Sequence, residues 1–331
     1  RFHCLLNEEF SGSANSTQVI HDGVISRHQH QKLVQNILRR TQEQGVQDSP
    51  IPQVSLIRTD SPSSCTSSIF DPSLGFIIQG SKTIQLGDRE IVYDELSYLA
   101  TCVSLPVLGQ VMQASDDKPY LAIKLALNPQ EIADLLLQMH GQNEPSMEEE
   151  HCPLVTCGLQ VAHMDHALLD SIARLVALLD TPKDIAVIGP LIRREILYRV
   201  LMGELGPRIR KFALVDHQAS RVSKVIALLK DRFSEPLRVR DLADAVNMSE
   251  SALFRSFKEV TRMSPVQFQK RLRLYEARRL MMAEGLEAAT ASFRVGYESP
   301  SHFSREYSRL FGASPRSDVV RQRGDNRERA V

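Results

Sequence analysis

The last hundred residues contain one stretch of sequence twice, and this repeat constrains the fold more than any other feature. Ser249, Leu253, Arg255, Phe257 and Ser264-Pro265 recur 50 residues later as Ser299, Phe303, Arg305, Tyr307 and Ser314-Pro315, and Thr261 aligns with Phe311. Just upstream the offset falls to 49, pairing Leu242 with Ala291, Val246 with Val295 and Asn247 with Gly296; Glu298 is the extra residue of the second copy. A fixed internal period marks a supersecondary unit that is used more than once.

Each copy has the pattern of a helix-turn-helix. In the first, Asp241–Val246 predicts a short helix with Leu242 and Val246 on one face, and Ala243 is small enough for a close helix crossing. Asn247 and Gly296 suit the left-handed residue that ends such a helix. Ser249 and Ser299 are natural N-caps for the next helix, and Pro300 suits its first position. In that second helix Leu253 and Phe257 point inward, as do Phe303 and Tyr307. The outward residues are then Ser251, Ala252, Phe254, Arg255 and Lys258 in the first copy, and Ser301, His302, Ser304, Arg305 and Arg309 in the second. Arginine reaches guanine bidentately in the major groove, serine and histidine bond bases or phosphate, and Phe254 offers a surface for a thymine methyl.

Between the copies, Pro265–Glu284 reads as a helix of roughly 30 Å. Successive major-groove faces of DNA lie about 34 Å apart. Such a helix can hold two recognition helices one DNA turn apart, so a single chain reads two groove segments. A lone Ser-x-x-x-Arg helix is common in proteins that never touch DNA; two at fixed spacing are hard to explain as packing. Arg271, Arg273, Arg278 and Arg279 on the linking helix read as solvated or ion-paired residues, with some free to touch phosphate and so to add affinity but not specificity.

Charge points the same way. The formal net charge is zero, yet residues 1–217 hold 18 Lys and Arg against 26 Asp and Glu, and residues 218–331 hold 22 against 14. A basic half of this kind suits a polyanion partner. The chain is also too long for one hydrophobic core. Residues 1–26 read as a loose arm, and 27–127 as a sensor domain that opens with a helix over 27–44. Seven short β-prone segments follow, Val54–Arg58, Gly75–Gln79, Lys82–Leu86, Glu90–Tyr93, Ser97–Cys102, Gly109–Gln113 and Tyr120–Leu127, which predict a small antiparallel barrel or sandwich. Residues 128–217 read as a helical linker region with segments near 163–179 and 188–204, which serves equally to dock within the chain or to form a dimer. A further helix is expected at 216–233. Residues 218–320 form the double helix-turn-helix domain, and 321–331 a polar tail. The fold class is therefore α+β multidomain, with an antiparallel β-barrel and helical region followed by an all-α domain.

Several chemistries find no footing. A metal-dependent barrel enzyme needs clustered His and carboxylate ligands, and residues 51–127 contain no His. His28 and His30 lie in a polar segment and read as solvated. His151, Cys152, Cys157, His163 and His166 match no familiar zinc spacing. No phosphate-binding glycine loop and no nucleophile elbow occur. The expectation is no enzyme, no metal and no cofactor. The five cysteines are odd in number and irregular, which suits a reducing compartment. No apolar run approaches membrane-span length, and the opening residues are too short and too quickly acidic for a secretory signal. The reading is a cytoplasmic protein. For a small-molecule effector the barrel offers Gln79, Lys82, Tyr93, Tyr98 and Tyr120.

Residues 218–318 resemble the DNA-binding domain of the AraC/XylS family of transcription regulators. The resemblance is carried by Leu242-Ala243, Met248-Ser249, Arg255-Ser256-Phe257-Lys258, Ser264-Pro265, Arg273-Leu274, Ala277-Arg278, Val295-Gly296-Tyr297-Glu298-Ser299, Phe303-Ser304-Arg305 and Phe311-Gly312-Ala313-Ser314-Pro315. Phe76–Lys82, Leu86–Arg89, Leu105-Pro106 and Pro119–Ala122 similarly resemble the family's cupin-like sensor domain. The resemblance implies a cupin-like barrel that receives a small molecule, a homodimer through the helical region, and promoter DNA and RNA polymerase as partners. Activation is the expected sign of regulation. Rival readings are a constitutive or repressing regulator whose barrel only dimerises, a cupin enzyme with a DNA-binding tail, and a non-specific architectural DNA binder. Two positions depart from the family. Arg262 stands where glycine is frequent, so the loop before the linking helix is expected to stiffen or shift. Ala291 replaces a larger apolar residue, so looser packing is expected there.

Overall fold

Strict alternation along the strands builds the front half. In the computed structural model, which describes residues 13–139, 158–213 and 218–328, ten strands form two antiparallel sheets. They are β1 (Gly45–Asp48), β2 (Val54–Thr59), β3 (Thr66–Phe70), β4 (Ser73–Gln79), β5 (Ser81–Leu86), β6 (Arg89–Tyr93), β7 (Ser97–Thr101), β8 (Leu105–Gln113), β9 (Tyr120–Ala126) and β10 (Leu159–His163). One sheet runs β1-β2-β9-β4-β7-β10 and the other β3-β8-β5-β6. On β9, Tyr120 and Ala122 face the other sheet, and Leu121, Ile123 and Leu125 face the opposite way, as a period of two requires.

The inner faces meet through Ile77, Leu99 and Ala122 from one sheet and Ile84, Leu86, Leu105 and Val107 from the other. The outer face of the six-stranded sheet is covered by helices. These are α1 (Ser13–Arg40), α2 (Pro129–Met139), α3 (His166–Ala177), α4 (Ile185–Met202) and α5 (Gly206–Ala213). Leu33 and Ile37, Ile132 and Leu136, Ile172 and Leu175, Ile196 and Val200, and Ile209 bring one apolar side of each helix to this layer.

The back half is helical: α6 (Gln218–Asp231), α7 (Val239–Ala245), α8 (Glu250–Thr261), α9 (Pro265–Ala283), α10 (Ala288–Arg294), α11 (Pro300–Phe311) and α12 (Pro315–Glu328). It is docked on the barrel. Val222, Val225, Ile226, Leu229, Val260 and Phe268 share one apolar cluster with the barrel interior. Polar contacts frame it: Lys230 Nζ donates to Asp71 Oδ1 at 2.7 Å and to Ser104 Oγ at 3.1 Å. The Gly158 amide donates to the Val260 carbonyl at 2.9 Å, and Tyr275 Oη to the Val107 carbonyl at 3.3 Å. Gly87, in the β5–β6 turn, leaves room for this contact: a Cβ there would lie 2.8 Å from the Arg262 carbonyl oxygen.

Several expectations need correction. The helix expected over 27–44 begins at Ser13, inside the stretch read as a loose arm, and ends at Arg40. Gly45 starts β1 with a φ of 108°. The expected barrel boundary at residue 127 is too early, because β10 returns from the helical region to pair with β7. Residues 159–163 are therefore a strand, and the helix expected from 163 starts at His166, capped by Asp165. Strands β1 and β3 were not expected; Thr66-Ser67-Ser68 lacks an apolar alternation to read. The polar tail expected from residue 321 continues α12 to Glu328. His151, Cys152 and Cys157 lie outside the described residues, and no group of three His, Cys, Asp or Glu among the described residues could hold a metal. No helix among them is long and apolar enough to cross a membrane.

Candidate nucleic-acid interface

Local chemistry places both recognition helices. Ser249 Oγ accepts the Ala252 amide at 3.2 Å, and Ser299 Oγ accepts the His302 amide at 3.3 Å, so each of α8 and α11 starts on its expected cap. Asn247 (φ 53°) and Gly296 (φ 90°) take the left-handed turn before them. Gly296 is also required by space, since a Cβ there would lie 2.1 Å from the Ser234 carbonyl oxygen. The linking helix α9 carries a full capping box: Ser264 Oγ accepts the Gln267 amide, and Gln267 Oε1 accepts the Ser264 amide. At 1.5 Å per residue its 19 residues span about 28 Å.

Inside each unit, the predicted core residues Leu253, Phe257, Phe303 and Tyr307 are fully buried. Ala291 and Val295 are buried completely. Arg262 ends α8 in the left-handed conformation at φ 59°, where the second unit has Gly312 at 71°. The arginine thus keeps the loop geometry rather than shifting it, at a backbone cost of about 1 kcal/mol. Arg262→Gly should raise stability by about that amount, seen as a higher urea midpoint with an unchanged slope.

The outward residues form one exposed face on each helix. Ser251, Phe254, Arg255 and Lys258 are exposed on α8, and Ser301, His302, Arg305 and Arg309 on α11, with Ser304 half-buried between them. The docked barrel covers neither face. Arg255, Lys258 and Arg305 make no ion pair among the described residues, so their charges are available. Glu306, the acid nearest the second face, is neutralised by Lys270 at 2.6 Å, with His302 and Arg309 each 3.9 Å away.

Among the arginines of the linking helix, Arg278 and Arg279 are ion-paired, as expected, and Arg273 departs from the expectation. Arg273 is structural: it donates to the carbonyls of Phe233 (2.6 Å), Glu235 (2.8 Å) and Gly296 (2.9 Å), tying the two units together. Arg278 is committed to Asp318 at 2.7 Å. Arg279 lies on the surface between Glu276 and Glu284. Charge alone could not separate these roles, because partners such as Phe233 and Asp318 lie 40 residues away.

The barrel candidates also divide. Lys82 pairs across the strands with Tyr93 and points to the barrel interior with Ile84 and Leu86. Its Nζ lies 5.3 Å from the Phe70 ring centre, and burial lowers its ammonium below the ordinary value. Burial, with Tyr120 adjacent, pushes the Tyr93 phenol well up, and burial does the same to Tyr120. These three residues come together. Gln79 does not join them, because its Nε2 is spent on the Pro119 carbonyl at 2.8 Å. Tyr98 faces the helical layer beside Phe76, with its phenol pushed up to about 12 by burial and then by Glu204 and Asp165. Sequence reasoning missed Phe70, which lies on the unforeseen strand β3.

The comparisons with known proteins agree with this division. Residues 50–208 match the model of the AraC-type transcriptional regulator N-terminus, and residues 242–319 match that of a helix-turn-helix domain. The HTH-type transcriptional activator RhaS of Escherichia coli O1:K1 is 30% identical over 165 residues, which are 49% of this chain and 57% of that one. The chain thus matches little more than half the length of these curated relatives. Among solved structures, unsaturated fatty acid bound wild-type ToxT of Vibrio cholerae strain SCE256 superimposes with a TM-score of 0.50 at 13% identity, covering 81% of this chain and 93% of that one. ToxT of Vibrio cholerae O395 bound to (E)-4-(8-methylnaphthalen-1-yl)but-3-enoic acid gives 0.51 at 13% identity, over 81% and 98%. At such identities the likeness shows the shared fold, a β-sheet domain followed by a helical one. With the repeated helix-turn-helix, the matched front and back domains and the RhaS relationship taken together, the chain belongs to the AraC/XylS family of DNA-binding transcription regulators.

Proposed function

We propose that the chain is a sequence-specific activator that reads two successive major-groove segments of promoter DNA and answers to a small acidic molecule in its barrel. One observation carries the DNA reading: equivalent positions of two capped helices present free, exposed cations, Arg255 and Lys258 on one and Arg305 on the other. Arg255 and Arg305 reach base edges, Ser251, Phe254, Ser301, His302 and Ser304 complete the readout, and Lys258 and Arg309 hold phosphate. Footprinting of the purified chain should reveal one defined protected segment; uniform protection of any duplex would favour an architectural binder instead.

The effector reading rests on Lys82. A largely buried ammonium with no carboxylate partner among the described residues is costly, and an acid that enters beside Tyr93 and Tyr120 would compensate it. The ToxT ligands are acids as well. An unsaturated fatty acid or a short aryl-alkenoic acid at 100 times its Kd should add about 2.7 kcal/mol to apparent stability. Lys82→Met should abolish that thermal shift without lowering the melting point of the free chain. If no acid shifts the wild-type protein, the reading of a barrel that only dimerises takes its place. Because both reading faces are exposed in the docked chain, the effector must act on the arrangement of the units rather than by unmasking them. Such control requires it to bind one arrangement better than the other.

The same reading places the protein in the cytoplasm, where it works without catalysis and contacts RNA polymerase from its promoter site. Val187, Leu191, Tyr198 and Met202 form an exposed stripe along α4, which suits a homodimer made by two copies of that helix. Sedimentation of the purified chain at increasing concentration reads it directly, and a monomer at all concentrations would contradict it.

A further inference from the structure

The two reading units differ at one place in their cores. In the first, Phe257 of α8 meets Phe268 of α9 edge-on, with ring centres 5.3 Å apart. The residues 50 positions later are Tyr307 and Asp318. There the aromatic contact is replaced by a hydrogen bond: Tyr307 Oη donates to Asp318 Oδ2 at 2.7 Å. Asp318 is fully buried, so its carboxylate needs a cation.

Arg278 of α9 supplies it. Its Nε donates to Asp318 Oδ2 at 2.7 Å and its Nη2 to Oδ1 at 3.0 Å. The guanidinium carbon lies 4.7 Å from the ring centre of Phe311, at the end of α11. Arg321 reaches the same carboxylate from the rim at 3.2 Å. The remaining Nη1 of Arg278 leaves the unit altogether and donates to Ser67 Oγ at 2.8 Å, on the barrel strand β3. Residue 228, 50 positions before Arg278, is a leucine, so the first unit has no counterpart to this link.

Strand β3 is the edge of its sheet among the described residues and pairs with β8. Ser67 and Phe70 are three residues apart on it and face opposite ways. Phe70 lies over Lys82 inside the barrel, and Ser67 meets Arg278 outside. A guanidinium holds its N–H groups in a rigid plane. A shift of β3 therefore cannot move Ser67 without either breaking the Nη1 bond or tilting the plane that holds Asp318 and Tyr307.

We propose that Arg278 is a positioning residue that makes the placement of the second recognition helix, α11, depend on barrel strand β3, whereas α8 meets the barrel at Val260 instead. Insofar as an effector beside Lys82 moves Phe70, this inference rests on the barrel reading above. Through this link the effector adjusts the second half of the DNA contact.

The test uses the full-length chain and Ser67→Ala, a half-buried edge-strand change that leaves both cores intact. Amide hydrogen exchange is compared for residues 300–311 and 250–261. Exchange in 300–311 should quicken about tenfold, the size expected for a lost hydrogen bond to a charged group, with 250–261 unchanged and Ser67→Thr restoring the wild-type rates. On selected DNA, Ser67→Ala should weaken binding about as much when both half-sites are intact, and not at all when the second half-site is scrambled. Equal changes in both helices, or none in 300–311, would overturn the coupling whatever the DNA shows. Failure to select any two-part DNA site would instead remove the DNA reading and leave the exchange result to decide the coupling.

Discussion

Replacing Arg278 with alanine should cost the chain about 3–5 kcal/mol of stability, the usual effect of leaving a buried carboxylate without its cation. Asp318 has no exposed surface, and the Arg278 side chain is only 12% exposed. Arg321 cannot take over fully, because its side chain is 56% exposed and lies at the rim. Arg278→Lys should recover only part of the loss, since an ammonium cannot bond both carboxylate oxygens in a fixed plane. The first unit indicates the compensating change. Phe268 stands where Asp318 does, so the pair Arg278→Leu with Asp318→Phe removes both charges together and should be far less damaging than Arg278→Ala alone. Urea denaturation of the three variants measures this. If the double variant is as unstable as the single one, the buried charge is not the source of the loss.

The second large effect is on DNA. Arg255→Ala and Arg305→Ala should each weaken binding by about 1–3 kcal/mol and relax base preference in one half of the site. The two side chains lie on different helices with no shared partner, so their effects should add, giving about 2–6 kcal/mol for the double variant. Lys258→Ala is the control: it should weaken all sequences alike and reduce the salt dependence, as the loss of a phosphate contact does. Titration of each variant on matched and scrambled half-sites separates the two outcomes. Uniform losses for the arginine variants would assign them to the phosphate backbone.

The sequence was most informative where local chemistry decides structure. The serine caps, Asn247, Gly296 and the inward Phe257 and Tyr307 follow from propensity and helical spacing, and the structure places each as expected. The barrel strands with alternating apolar residues were equally legible. What could not be read depends on contacts distant in sequence. Strand β3 has no apolar alternation and is held by its pairing with β8. Strand β10 returns across the helical region to reach β7. The role of Arg278 needs Ser67, which is 211 residues away, and Asp318, which the repeat alignment shows only as an unexplained mismatch. Tyr98 was grouped with Tyr93 because both are strand tyrosines; their opposite facing follows from register, which single segments do not reveal.

The central claim is that one chain reads two groove segments with two unequal units. Selection of bound fragments from a random DNA pool, repeated with Arg255→Ala and with Arg305→Ala, tests it most directly. The expected result is a site of two conserved blocks centred about 10–10.5 base pairs apart, with each substitution erasing preference in a different block. A single block, or the loss of both blocks with either substitution, would contradict it.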